Sequence, residues 1–142
     1  MSDHLFKNCT TSGLYHLPPH RLPAVSHAAN REQMHFLQVD IPQPTNKANV
    51  LAQLGKALAF PDWYGATFDA LFDCLTDTGW QPAKGHVIVI NGLGELRTSA
   101  PEDFSTLIEV LQDAANQRRQ AGAPFWILID TPARGVPALP EA

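Results

Sequence analysis

Two spacings of apolar residues alternate along the chain, one of period two or unbroken and one of period 3.6. Residues 35–41 read HFLQVDI, apolar at Phe36, Leu37, Val39 and Ile41 and stopped by Pro42, which predicts a strand. Residues 86–90 (HVIVI) and 125–129 (FWILI) are continuous apolar runs, the pattern of strands buried on both faces. Helical spacing appears in Val50, Leu51, Leu54 and Leu58, within a helix from about residue 47 to 59 that Asn46 is suited to cap. It returns in Phe104, Leu107, Ile108, Leu111 and Ala115, a helix from about 99 to 120 with Pro101, Glu102 and Asp103 in its first turn and Arg118 and Arg119 in its last. Residues 12–17 fit a short strand closed by Pro18-Pro19, and residues 23–34 a helix opened by proline. The first ten residues look frayed, and the stretch from Thr131, rich in proline and glycine, should be loose.

From residue 35 the order is strand, helix, helix, strand, helix, strand. Strands separated by helices, with unbroken rather than alternating apolar runs, predict an α/β layer fold with a small parallel sheet.

The most informative stretch is residues 60–77, FPDWYGATFDALFDCLTD. Pro61 ends the preceding helix pattern, and Gly65 takes conformations that Trp63 and Tyr64 resist, so two aromatics sit on a sharp bend. Phe68, Leu71, Phe72 and Leu75 then form one helical face. Asp69, Asp73 and Asp77, at i, i+4 and i+8, stack on a neighbouring stripe, where like charges cost about 0.2–0.5 kcal/mol per pair. Acids late in a helix also oppose its dipole, which makes Asp73 and Asp77 poor choices for stability. No Lys or Arg stands between Lys56 and Lys84, while Trp63, Tyr64 and Trp80 supply bulky rings. An acidic stripe without local partners beside aromatics suggests a surface for a basic protein rather than an ordinary solvated helix face.

Charge and composition narrow the classes. The 142 residues carry a net charge of −4, which argues against nucleic acid as a direct ligand, since phosphate binding wants a basic surface. No apolar run approaches the roughly 20 residues of a membrane span, and the start lacks the basic and apolar parts of a secretory signal, so a cytoplasmic location is expected. Cys9 and Cys74 alone make no disulfide framework, and Cys74 reads as a packing residue. Three carboxylates on one convex helix face do not make the facing acid pair of a glycosidase, and they lack the loop carbonyls of a calcium site. His16 and His20 are separated by Leu17-Pro18-Pro19, which breaks the helical i, i+4 geometry of a zinc pair. No catalytic residue, metal or cofactor is expected.

Pro61-Asp62-Trp63-Tyr64-Gly65 followed by Asp69-Ala70-Leu71-Phe72-Asp73-Cys74-Leu75-Thr76 resembles the barstar family, bacterial protein inhibitors of barnase-type ribonucleases. The family pattern there is Pro, acid, two aromatics and Gly, then Asp-Ala-Leu-aromatic-Asp-Cys-Leu-Thr. The resemblance covers about residues 34–130 and implies three parallel core strands packed by helices. Residues 1–33 would be an extension adding an edge strand and a helix, and 131–142 a loose tail.

The resemblance also implies a function: an immunity or antitoxin protein that blocks a basic ribonuclease or related nuclease with carboxylates standing in for substrate phosphate. It makes Asp73 the central anion, with Asp69 beside it, and places Trp63, Tyr64, Gly65, Thr67 and Phe72 at contact positions. Asp113, on the later helix, aligns with an acidic interface position. Trp63 and Phe72 depart from the Tyr and Trp of barstar, and Thr67 replaces an Asn, which points to a target other than barnase. The alternative is a regulatory or scaffolding module using the same acidic and aromatic surface on a basic protein that is not a nuclease. A monomer is the default.

Overall fold

Apolar runs with β-branched residues become the strands of one parallel sheet, and the 3.6-period segments become its helices. The computed structural model describes residue 6, residues 8–77 and residues 79–140. Strand β1 (Leu14–His16) is followed by α1 (Leu22–Arg31), β2 (His35–Asp40), α2 (Lys47–Ala57), α3 (Phe68–Thr76), β3 (His86–Asn91), α4 (Gly94–Ser99), α5 (Pro101–Gln120) and β4 (Phe125–Ile129). All pairings are parallel in the order β1-β4-β3-β2, so the three core strands gain a fourth at the β4 edge.

Register decides which side chains share a face. The row Leu37, Ile88, Ile127 and Leu14 points to the side covered by α2, α3 and α5, together with Val39, Ile90 and Ile129. The alternate row, Phe36, Val87 and Trp126, with Val89 and Leu128 beside it, faces α1. Period-two geometry thus gives β3 and β4 two buried faces, as their unbroken apolar sequence demands.

The second face is covered from the ends of the chain. Val25, Ala28 and Ala29 of α1 pack there with Phe6, Leu17 and Leu139. Trp126 donates its ring N–H to the Phe6 carbonyl at 3.1 Å and is flanked by Phe6 and Tyr15. The tail expected to be loose is docked as far as residue 140: Leu139 is buried, its N–H bonds to the His16 carbonyl, and Arg21 donates to the Leu139 carbonyl. Burial of Leu139 on the exposed side of β1 is the physical reason. Residues 141–142 of that tail, and most of the frayed start, lie outside the described residues.

Other boundaries differ modestly. Helix α1 stops at Arg31, where Gln33 takes a φ of 62° and turns the chain into β2. Helix α4 was not legible: six residues after Gly92 hold Leu96 against the core.

Candidate functional site

The site begins where α2 ends. The Phe60 N–H bonds to the Gly55 carbonyl and the Ala59 N–H to the Lys56 carbonyl, the paired bonds of a Schellman cap, with Ala59 left-handed at φ 55°. This turns the chain through Pro61 into a single turn of 3₁₀ helix, Asp62–Tyr64, which Gly65 (φ 65°) and Ala66 (φ 54°) close. Within that turn Tyr64 is buried and Trp63 exposed.

Tyr64 goes inward. Its ring fills the space above Gly55, where a Cβ would come within 2.6 Å of the ring, and its hydroxyl donates to the Leu51 carbonyl at 2.8 Å. Burial raises the Tyr64 pKa well above that of a free phenol. Expected as a contact, Tyr64 is instead the strut under the bend. Trp80 behaves likewise: it is buried, donates its ring N–H to the Leu58 carbonyl at 2.7 Å and packs against Phe60. Trp63 faces out at 56% exposure, the exposed large hydrophobic residue of the described chain. It walls a pocket of about 310 Å³ with Pro61, Asp77 and Gln81. Thr78 lies outside the described residues.

Helix α3 starts at Phe68 because Thr67 caps it, its hydroxyl accepting the Ala70 N–H at 3.0 Å. Asp69 therefore sits in the first turn, where the dipole favours an anion, and it does not oppose helix stability as expected. Asp73 lies one turn on and is exposed. Asp77 leaves the stripe: the helix ends at Thr76, and the Asp77 carboxylate turns to accept the Gly79 N–H at 2.8 Å.

The C-terminus of α3 is clamped from α5. Buried Arg118 donates from Nε to the Leu75 carbonyl and from Nη2 to the Asp77 carbonyl, both at 2.9 Å, with its guanidinium 4.9 Å above the Phe125 ring. Sequence placed Arg118 in the last turn of its own helix as a dipole partner. It serves the end of α3 instead, neutralising the carbonyls that Asp73 and Asp77 were expected to aggravate.

Between α3 and α5 lies a shallow groove of about 500 Å³ lined by Phe68, Asp69, Phe72, Asp73, Val110 and Asp113. Two helices distant in sequence thus bring three carboxylates to one apolar-floored depression. Lys47 stands at its margin, its Nζ 5.0 Å over the Phe68 ring. Among the described residues, no group of three or more His, Cys, Asp or Glu is arranged to hold a metal ion.

The sequence matches the family described as Barstar (barnase inhibitor) over residues 34–130. The chain belongs to the barstar family. No curated protein matches it. Barstar-family proteins are inhibitors rather than enzymes, and the family implies a ribonuclease as the kind of partner. No helix of the described residues is long and apolar enough to cross a membrane.

Within this barstar-family fold, Cys74 is fully buried, and burial together with the nearby Asp73 and Asp77 raises its pKa, so the thiol stays protonated and inert. Sequence reasoning missed Arg118 and Gly55, the residues that hold the acidic helix and the bend in place. A glycine inside a helical pattern, four residues before its expected end, was the available signal for Gly55.

Proposed function

We propose that this protein is an immunity-type inhibitor that plugs the active site of a basic ribonuclease or related nuclease toxin. The observation that carries the reading is the groove between α3 and α5, which presents Asp69, Asp73 and Asp113 over the apolar surface of Phe72 and Val110. A nuclease cleft is lined with cations set for a polyanion, so carboxylates at helical spacing satisfy those cations, speed encounter and exclude RNA. Barnase and barstar are themselves the usual illustration of such steering, so the general rule is not independent support here.

In this reading Asp73 occupies the place of a substrate phosphate and Asp69 and Asp113 flank it. Trp63, Gly65, Thr67 and Phe72 form the rim that reads the partner. Tyr64 acts from below by fixing the bend. The rigidity of the arrangement favours tight binding, because the Thr67 cap, the Arg118 clamp and the Tyr64 and Trp80 struts leave little to be ordered on association. Changed residues at Trp63, Thr67 and Phe72 around a retained acidic centre favour a nuclease other than barnase.

Pull-down with the wild type and with Asp73→Ala tests the surface. Recovery of a basic nuclease by the wild type and its loss with the variant supports the proposal; an identical set of partners for both contradicts the role of Asp73.

A further inference from the structure

A second concavity lies elsewhere, at the carboxyl ends of β3 and β4, and measures about 690 Å³. Pro101, Phe104, Ser105 and Ile108, at i, i+3, i+4 and i+7, give it one face of α5. Pro132 and Ala133 form the opposite wall, and Arg97 of α4 and Arg134 stand at its rim. Crevices at this end of parallel strands are where open α/β sheets generally take ligands.

The rim is held open and cationic. Arg97 donates from Nη1 to the Pro132 carbonyl at 2.9 Å, tying α4 to the loop after β4, and the turn from Ala133 to Val136 that presents Arg134 is closed by the Val136 N–H on the Ala133 carbonyl. No carboxylate of the described residues pairs with either guanidinium. Acids on the same loops are engaged elsewhere. Asp130 accepts the N–H groups of Gly92 and Leu93 and the Thr131 hydroxyl, and Glu95 accepts the Thr45 N–H. Glu102, Asp103 and Glu109 of α5 are not among the residues that line the groove.

An apolar floor under two arginines with no carboxylate partner among the described residues, on a chain of net charge −4, selects its ligand by charge. We propose that this groove is a docking site for an acidic peptide segment of a partner, with an apolar side chain seated on Phe104 and Ile108 and flanking carboxylates paired to Arg97 and Arg134. Guanidinium and carboxylate planes match in such pairs, and the seated side chain supplies the affinity that rim charges alone lack. The site is separate from the α3 and α5 groove, so it could be occupied while a nuclease is bound.

The test is amide chemical-shift mapping on the full chain with the acetylated peptide Glu-Asp-Leu-Phe-Glu-Asp. The proposal expects saturable shifts centred on Arg97, Phe104, Ser105 and Ile108, weakened by added salt. Arg97→Gln with Arg134→Gln is expected to weaken binding about tenfold or more. A peptide with Gln and Asn in place of the acids, and one with Gly in place of Leu-Phe, should each bind poorly to the wild type, an outcome that needs no variant to fold. Absence of saturable shifts, shifts elsewhere, or equal binding of the uncharged peptide would overturn it.

Discussion

Asp73 is exposed and makes no side-chain hydrogen bond within the described chain, so its worth must be sought outside the folded monomer. Asp73→Asn is therefore expected to leave unfolding stability within about 0.5 kcal/mol of wild type. The same change should weaken nuclease binding by about 1.5–3 kcal/mol, the value of a hydrogen bond to a charged group. Denaturant melts beside calorimetric titration with the nuclease check both, and a large stability loss without a binding loss contradicts the assignment. His86 is the converse case, a titratable group buried in the fold. Its Nε2 lies 2.7 Å from the Gln81 carbonyl and so carries the proton, while Nδ1 is buried with no partner. Burial pushes its pKa below the usual 6.5; the Gln81 carbonyl opposes this, and Arg118 and His35 reinforce it. Because the unfolded chain takes the proton first as pH falls, the neutral imidazole's contribution is complete above about 6.5 and is lost progressively below it. Denaturation midpoints between neutral and mildly acidic pH should fall more steeply for the wild type than for His86→Phe, and parallel slopes would count against this. At this scale the placing of Asp69 and Asp73 one turn apart on a helix was legible in the sequence. The inward turn of Tyr64 and Trp80 was not, because an aromatic with a polar tip suits a binding surface and a hydrogen-bonded core position equally well.

The elements around the bend carry backbone strain that a single change relieves. Ala59 occupies the left-handed position of the Schellman cap that glycine normally fills, at φ 55°. Ala59→Gly is expected to stabilise the fold by about 1 kcal/mol, read as a shift in denaturation midpoint, with the α2 cap unchanged. A loss of stability would mean that the methyl group packs better than its position suggests. Periodicity found α2, α3 and α5 because each buries a continuous apolar face. It failed at α4, where six residues with one buried leucine give too short a pattern to register, and it extended the acidic stripe to Asp77 although Asp77 already lies past the end of α3.

At the scale of the molecule, the sequence of β3 and β4 announced two buried faces but not what covers the second. That cover comes from residue 6, residues 14–31 and Leu139, brought together over distances that local patterns do not encode. Deleting residues 1–33 would expose Val87, Val89, Trp126 and Leu128, each large side chain worth about 1.5–3 kcal/mol when buried. The shortened chain is expected to aggregate or to bind a hydrophobic dye, measured by light scattering and dye fluorescence. A stable monomer of unchanged melting behaviour would show that the extension is dispensable for the fold. Charge is distributed at this scale as well: the acidic groove and the arginine-rimmed groove lie on different faces of α5, so a basic partner is drawn to one side of the molecule. The most direct test of that arrangement is cleavage of RNA by a candidate basic nuclease titrated with the purified protein. The account predicts that cleavage stops near one equivalent of wild type and continues with Asp73→Ala. Undiminished cleavage at excess wild type, across a panel of basic ribonucleases, would contradict it.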